Sequence, residues 1–180
     1  MLPPGQTELP ALPVLHIGAV PEFEPDTWTL AVSGEVGERR MFGWRAFTSL
    51  ARTDLVGDVH CVTGWSVLGL AWSGVAFEDL CQLVRPRMEA RWVRFGDGGP
   101  YDTTLPLEAA RETLLAMKLG GRALDVAHGG PLRLVAPRHY AWKSVKWVRE
   151  IEFLSRDRPG FWERRGYAPD ADPARAQRMA

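Results

Sequence analysis

Apolar and polar side chains alternate along several short stretches of the chain, a pattern that predicts half-buried β-strands. In residues 27–32, TWTLAV, every second side chain is apolar: Trp28, Leu30 and Val32. Because successive side chains of a strand point to opposite faces, these three residues are expected to share the buried face of one strand. Further strands are predicted over residues 58–63, 91–95, 132–136 and 145–153.

Three other stretches place apolar residues at intervals of three and four, which predicts short helices that bury one face. The third of them begins at Pro106, a residue suited to the first turn of a helix, and ends at Gly120-Gly121. On the second helix Cys81 falls on the buried stripe and is expected to act as a small hydrophobe. The predicted faces are Trp44, Phe47, Leu50 and Ala51; Phe77, Leu80, Cys81 and Val84; and Leu107, Ala110, Leu114 and Leu115.

The order of these elements favours an α+β fold, because strands and short helices mix without the regular βαβ repeat of a doubly wound sheet. The chain of 180 residues is long enough for one domain and too short for two of ordinary size. We predict an extended arm over residues 1–12, which are rich in proline and polar side chains, and one domain over residues 13–167. Residues 168–180 have little to bury and are predicted to be a loose end or a weak terminal helix.

The charge balance argues against a general binder of nucleic acid or acidic membranes, since 22 basic residues face 22 acidic ones. The two cysteines form no CxxC pair, and the first 18 residues lack the basic region and apolar run of a signal or spanning helix. These features predict a cytoplasmic protein without a membrane span. Eight tryptophans are many for this length and are typical of an interior with a pocket.

Basic side chains are concentrated in residues 131–149, which contain five of them and no acid: Arg133, Arg138, Lys143, Lys146 and Arg149. Within this segment, residues 143–146, Lys-Ser-Val-Lys, combine two ammonium groups, a hydroxyl and the backbone N–H groups of a predicted strand start. Groups of these kinds hold phosphates in proteins. The alternative is a solvated, charged strand edge. A dinucleotide site is not predicted, because the glycines of GDGGP lack the GxGxxG spacing.

Cys61 lies in HCVTGWS, at the end of a predicted strand and before a Gly-Trp turn. Three interpretations fit this position: a metal-binding thiolate, a nucleophile, or an ordinary buried strand residue. A nucleophile needs an adjacent base, and His60 points to the opposite face of a strand. A structural zinc site needs four ligands at paired spacings, which two separate cysteines and scattered histidines do not provide. From the residues alone, these alternatives stay open.

Two segments in this order, HCVTGWS and GGPLRLVAPRHYAWKSVKWV, resemble the molybdopterin-binding domain of the sulfite oxidase superfamily. The likeness extends from about His16 to about Tyr167 and is greatest to small bacterial, stand-alone sulfite oxidase-like oxidoreductases. In that family one cysteine at a strand end is the protein ligand of molybdenum, and Cys61 occupies the matching place. The resemblance implies a metal-binding oxidoreductase with a molybdenum–molybdopterin cofactor, in which Cys61 is the catalytic metal ligand.

The resemblance also implies which side chains contact this cofactor. Arg133 is expected to bind the pterin, and residues 143–146 are expected to hold its phosphate through side chains and backbone. For each histidine in the set, an ordinary hydrogen-bonded side chain is the alternative. The complete set of expected cofactor-binding residues is His16, Asp97, His128, Arg133, Lys143, Ser144, Val145 and Lys146.

Departures from the sulfite oxidases of that family indicate the substrate. Cys61 is followed by Val-Thr-Gly-Trp-Ser instead of a Gly-Asn-Arg type sequence, which resembles the methionine sulfoxide reductase branch. An aromatic wall from Trp65, with Trp72 as a second candidate, suits a neutral substrate better than an oxyanion such as sulfite. For either tryptophan, an ordinary core residue is the alternative. We therefore expect oxygen-atom transfer on a small, sulfoxide-like substrate. Electrons are expected to pass to or from a separate partner, because the chain has no CxxCH haem motif.

Two alternatives to this function remain from the sequence. One is a non-catalytic carrier that keeps molybdopterin, or another anion, for a partner protein. The other is a metal-free thiol enzyme built on Cys61, which would require a reactive thiolate in protein that lacks the metal.

Overall fold

Two β-sheets form the framework of the chain, of which the computed structural model describes residues 2–180. The first sheet contains β1 (Thr7–Glu8), β4 (Thr53–His60), β5 (Trp65–Ala76), β8 (Leu114–Leu119), β9 (Arg122–Ala123) and β10 (Arg133–Val135). The second contains, in spatial order, β3 (Arg40–Gly43), β2 (Thr29–Gly34), β11 (Glu150–Leu154), β6 (Trp92–Gly96) and β7 (Asp102–Pro106). Each sheet mixes parallel and antiparallel pairs. The predicted α+β class is confirmed.

Short helices connect the strands and cover the sheets. The α-helices are α1 (Trp44–Thr48), α2 (Phe77–Val84) and α3 (Leu107–Arg111). On α2, the ring of Phe77 stacks on that of Phe153 in β11 with the centroids 5.7 Å apart, and it meets the ring of Phe95 in β6 edge-on at 5.2 Å. This helix therefore packs on the second sheet. Cys81 is buried on the same face as predicted, and burial raises the pKa of its thiol to about 12. It is a protonated core side chain.

The helix predicted from Pro106 to Gly120 is wrong beyond Arg111, because residues 114–119 form strand β8. Leu115 packs into the main core between the sheets, whereas Leu114 packs into a second core on the other face. A strand that is buried on both faces is apolar at consecutive positions, and such a run cannot be told from a helix by spacing alone. Gly120 and Gly121 have φ of +58° and +77° and form the hairpin turn to β9.

The predicted strands differ from the observed ones at several ends. The last strand begins at Glu150 and not at Val145, since Trp147 has φ of +55°, which is incompatible with a strand. The strand that precedes Cys61 is longer than predicted, Thr53–His60, and ends before the cysteine. The spacing of apolar residues does not predict the longest strand, β5. It bends at a register shift between Ser73 and Gly74, which breaks the alternation of buried and exposed side chains.

Both terminal segments pack against the domain. In the predicted arm, Thr7 and Glu8 form β1 and pair in parallel with Trp65 and Ser66 of β5. The prediction of a loose tail or a weak terminal helix is wrong: Ala171 is fully buried, and its carbonyl accepts the backbone N–H of Tyr140 at 2.7 Å. Within residues 2–180, none of the helices is both long and apolar enough to cross a membrane.

Candidate cofactor site

The turn after β4 holds Cys61 in a fixed position. The backbone N–H of Cys61 donates to the carbonyl of Trp65 at 2.8 Å, and the N–H of Gly64 donates back to the carbonyl of Cys61 at 3.0 Å. Gly64 closes this turn with φ of +100°, a conformation that a residue with a Cβ rarely adopts. The hydroxyl of Thr63 donates to Sγ of Cys61 at 3.2 Å. The sulfur is therefore oriented by its own turn.

Cys61 lies in the wall of a cavity of about 330 Å³. The turn after strand β4 supplies the cysteine, the N-terminal arm and the residues after it supply one rim, and strand β10 with the segment after it supplies the cationic wall. The C-terminal segment contributes two aromatic side chains, Trp162 and Tyr167. The full lining is Leu12, Pro13, Leu15, His16, Ile17, Cys61, Val62, Thr63, Trp65, Asp97, Tyr101, Arg133, Ala141, Trp142, Ser144, Lys146, Trp147, Trp162 and Tyr167.

Arg133 is a buried cation without a carboxylate partner in the described part of the chain. Its Nη1 donates to the carbonyl of His128 at 2.8 Å, and its guanidinium lies over the ring of Trp72 at 5.6 Å. Its buried Nε has no hydrogen-bond acceptor among residues 2–180. Burial lowers the pKa of Arg133 to about 10, so the group is still protonated at neutral pH.

Lys146 lies beside Arg133 and is likewise without a carboxylate partner among the described residues. Its Nζ donates to the carbonyls of Leu15 at 2.6 Å and Ala127 at 2.7 Å. Burial, and then the charge of Arg133, lower the pKa of Lys146 to about 8. Gly129 makes this proximity possible: with φ of +107°, a Cβ there would lie 2.8 Å from Cγ of Lys146 and 3.2 Å from Cδ of Arg133.

These groups fit a phosphorylated metal cofactor. Two neighbouring cations lack a counter-charge among the described residues, and one of them has a buried N–H without an acceptor there. They carry a desolvation cost that a bound anion would offset. Residues 2–180 contain no group of three or more His, Cys, Asp and Glu side chains that could hold a metal by themselves. A single cysteine thiolate therefore suits a metal whose remaining ligands come with the cofactor, as the dithiolene of molybdopterin provides.

Comparison with known proteins identifies the family. The family model described as "Oxidoreductase molybdopterin binding domain" matches residues 17–162 of the chain. The chain belongs to this family. As a molybdopterin-binding oxidoreductase, it binds a molybdenum–molybdopterin cofactor and is an enzyme of the sulfite oxidase superfamily.

Two relatives of this molybdopterin oxidoreductase show how similarity extends along the chain. "Uncharacterized oxidoreductase YuiH" of Bacillus subtilis is 40% identical over 181 residues, which cover 99% of this chain and 91% of that protein. "Protein-methionine-sulfoxide reductase catalytic subunit MsrP" of Burkholderia mallei is 29% identical over 166 residues, which cover 82% of this chain and 49% of that protein. The chain thus spans nearly all of the first relative and about half of the second.

A solved structure resembles the fold of this oxidoreductase. The sulfane dehydrogenase SoxCD from Paracoccus pantotrophus superposes with a TM-score of 0.73 over 87% of this chain and 46% of that chain, at 21% sequence identity. At this identity the likeness concerns the fold alone.

The structure brings five of the eight sequence-predicted cofactor residues to the lining of the cavity: His16, Asp97, Arg133, Ser144 and Lys146. The hydroxyl of Ser144 accepts the backbone N–H of Ala136 at 3.1 Å. His16 lies on the rim, where its ring meets the edge of Trp147 at 6.0 Å and its Nδ1 bonds the carbonyl of Gly18 at 2.9 Å. These positions are compatible with contact to a bound pterin and its phosphate.

Asp97 also lines the cavity, but its carboxylate organises a turn. Its Oδ1 accepts the backbone N–H groups of Gly99 at 2.8 Å and Tyr101 at 3.2 Å. His128 does not line the cavity, since its Nε2 donates to the carbonyl of Leu12 at 3.0 Å. It contributes to the site through its own carbonyl, which accepts from Arg133.

The side chains of Lys143 and Val145 are not placed in the cavity. Lys143 ends a 3-10 helix, Ala141–Lys143, where a strand start was predicted. Its ammonium is buried, donates to the carbonyl of Thr104 at 2.9 Å and forms an ion pair with Glu163. Val145 packs into the main core. Along residues 143–146 the cavity therefore receives the two alternate side chains, Ser144 and Lys146.

Several aromatic residues of the cavity were not identified from the sequence. Trp65 lines it as predicted, whereas Trp72 lies beneath Arg133 and not in the lining. The hydroxyl of Tyr101 donates to the carbonyl of Trp142 at 2.8 Å and joins two walls. The abundance of tryptophan was the only feature of the sequence that pointed to this lining. The unpredicted aromatic residues are Tyr101, Trp142, Trp147, Trp162 and Tyr167.

Proposed function

We propose that this oxidoreductase reduces a small sulfoxide by oxygen-atom transfer, with Cys61 as the protein ligand of molybdenum. The observation that carries the proposal is the cavity itself, in which one cysteine sulfur and two cations without carboxylate partners among residues 2–180 share a mostly apolar lining rich in tryptophan and tyrosine. The similarity to a protein-methionine-sulfoxide reductase supports the same substrate class.

The metal supplies two-electron exchange of an oxo group when the cofactor is bound. The overall reaction converts a sulfoxide, two electrons and two protons into a sulfide and water. We infer that a separate electron-transfer protein delivers the electrons. The protein residues bind and orient the cofactor, and they restrict access of water to the cavity.

Each residue has a role that follows from its contacts. Cys61 is held by its turn and by the hydroxyl of Thr63, which suits a ligand of fixed orientation. Arg133 and Lys146 offer cationic donors to the phosphate of the pterin, and Ser144 adds a hydroxyl at the same wall. Lys143 is omitted from this set, because its ammonium is paired with Glu163.

Sulfite is disfavoured as a substrate by the distribution of charge. An oxyanion needs arginine or lysine donors near the metal. Among the described residues, the arginine and lysine side chains in the lining are Arg133 and Lys146, and both are needed for the cofactor phosphate. The turn that follows Cys61 offers Val62, Thr63 and Trp65, which form an uncharged wall. A neutral, dipolar sulfoxide matches that wall better.

Steady-state turnover by cofactor-loaded protein tests this proposal. With a reduced viologen as electron donor, we expect oxidation of the dye on addition of dimethyl sulfoxide or methionine sulfoxide. With ferricyanide as acceptor, we expect no reduction on addition of sulfite. Sulfite-dependent reduction of ferricyanide without any sulfoxide turnover would overturn the assignment. Retention of molybdenum and pterin without turnover of sulfoxides, N-oxides or sulfite would instead support a carrier.

A further inference from the structure

The N-terminal arm reaches the cysteine although it lies outside the matched family region, residues 17–162. Gln6, just before β1, donates a hydrogen bond from Nε2 to the carbonyl of Cys61 at 3.0 Å. The same carbonyl accepts the N–H of Gly64. A side chain that is 55 positions away in the sequence thus completes the hydrogen bonding of the cysteine's own peptide group.

A chain of polar contacts fixes the amide of Gln6. The hydroxyl of Ser66 donates to Oε1 of Gln6 at 3.1 Å, and the oxygen of Ser66 lies 2.7 Å from Nδ1 of His60. Because the hydroxyl proton of Ser66 points to Gln6, its oxygen accepts the Nδ1–H of His60. Ser66 and His60 are both buried. The amide oxygen of Gln6 is therefore engaged, and its NH₂ group has to face Cys61.

Backbone contacts hold the arm on both sides of the cysteine turn. The N–H of Thr7 donates to the carbonyl of Gly64 at 2.8 Å, and the N–H of Leu9 donates to the carbonyl of Ser66 at 2.8 Å. From the C-terminal tail, Nη2 of Arg178 donates to the carbonyl of Gly5 at 3.3 Å. These bonds hold the backbone of Gln6 beside the cysteine turn, and the hydrogen bond from Ser66 holds its amide.

We propose that Gln6 is a positioning residue for Cys61, through which the N-terminal arm sets the orientation of the thiolate toward the metal. This inference rests on the proposed role of Cys61 as the metal ligand. Groups that orient a ligand affect metal binding and activity, and their loss commonly costs about 10–100-fold. Hydrogen bonds from His60 to Ser66, from Ser66 to Gln6 and from Gln6 to Cys61 connect the cysteine peptide group to strands β4 and β5.

The test compares Gln6→Met with Glu8→Ala in full-length, cofactor-loaded protein. Methionine keeps the length of the side chain and removes both polar contacts, whereas the exposed Glu8 makes no side-chain hydrogen bond or ion pair with the described residues of the cysteine turn. We measure the electron paramagnetic resonance spectrum of the partly reduced metal and the rate at which pterin is lost on dilution. For Gln6→Met we expect a shifted spectrum and pterin loss that is about 10-fold faster. Glu8→Ala should match the wild type.

The variant Cys61→Ser distinguishes a failure of the positioning role of Gln6 from a failure of the ligand assignment of Cys61. If Cys61→Ser changes the spectrum and Gln6→Met leaves both spectrum and pterin loss unchanged, the positioning role is refuted and the ligand assignment stands. If Cys61→Ser itself has the wild-type spectrum, the ligand assignment fails, and the role of Gln6 fails with it. A shift for Gln6→Met with an unchanged melting temperature of the cofactor-free protein would support orientation of the ligand over general support of the fold.

Discussion

Replacement of Lys143 by alanine is expected to destabilise the fold strongly, although the residue lies in the segment, residues 143–146, that resembles a phosphate-binding motif. The side chains of Lys143 and Glu163 are 2% and 4% exposed and form an ion pair. The same carboxylate accepts the hydroxyl of Thr103 at 2.9 Å, and its other oxygen, Oε2, already lacks a partner in the described chain. Loss of the ammonium leaves a buried carboxylate with one remaining donor.

The size of the effect follows from this arrangement. Removal of one partner of a buried pair typically costs about 3–5 kcal/mol, because an uncompensated charge stays buried. At about 2.1 cal/mol/K per residue, the unfolding entropy of a chain of 180 residues is about 0.38 kcal/mol/K near the melting temperature. Lys143→Ala should therefore lower the melting temperature of the cofactor-free protein by about 8–13 °C.

Thermal unfolding at neutral pH, followed by circular dichroism on cofactor-free protein, measures this shift. Cofactor-free protein is needed because a ligand that binds the native state raises its apparent stability. Lys146→Ala is the matched control: it removes an ammonium three positions away that has no carboxylate partner in the described part of the chain, so we expect a much smaller shift. The double variant Lys143→Met/Glu163→Leu should recover much of the loss. Equal melting temperatures for Lys143→Ala and Lys146→Ala would show that the buried ion pair of Lys143 with Glu163 does not stabilise the fold.

Two further predictions concern the cavity. The pKa of Lys146 is lowered to about 8 in the free protein, so the side chain loses its proton as the pH rises through 8. Above that pH, the affinity for pyrophosphate should fall with a slope that approaches about tenfold per pH unit. Isothermal titration calorimetry from pH 7 to 10 measures this dependence, and a profile in Lys146→Arg that is as steep as that of the wild type would contradict it. The hydroxyl of Thr63 donates to Sγ of Cys61 and stabilises negative charge there, which favours the reduced metal. Thr63→Val should therefore lower the two-electron midpoint potential of the metal by about 10–30 mV, whereas Thr63→Ser should retain the wild-type potential. Potentiometric titration decides this, and equal potentials in all three proteins would exclude the proposed effect of the hydrogen bond.

Features that depend on neighbouring residues were predictable from the sequence. The alternation of Trp28, Leu30 and Val32 correctly predicted a strand, and the spacing on α2 correctly predicted the burial of Cys81. The strand-end position of Cys61 was also evident, since β4 stops one residue before it. Each of these inferences needs only the periodicity of one element.

Features that depend on distant partners were not predictable. Lys143 and Lys146 have similar local sequence, and only the fold brings Glu163 to the first and the carbonyl of Leu15 to the second. The spacing of the run from Leu114 to Met117 predicts part of a helix, because burial on both faces of β8 removes the alternation that identifies a strand.

The contributions of the terminal segments were hidden for the same reason. The contact between Gln6 and Cys61 spans 55 positions, and the aromatic lining from Trp162 and Tyr167 reaches the cavity from the other end of the chain. No periodicity within either segment encodes such contacts. The sequence therefore indicates the motif around Cys61 and the basic segment, residues 131–149. It does not indicate that the segments near the two ends of the chain contact the site.

X-ray absorption at the molybdenum edge measures directly whether Cys61 ligates the metal of the bound cofactor. Wild type and Cys61→Ser are prepared from cells that assemble the cofactor, and molybdenum and released pterin are quantified in both. We expect one sulfur ligand fewer around molybdenum in Cys61→Ser than in the wild type, because serine offers oxygen in place of the thiolate. The same number of sulfur ligands in both proteins would contradict this expectation.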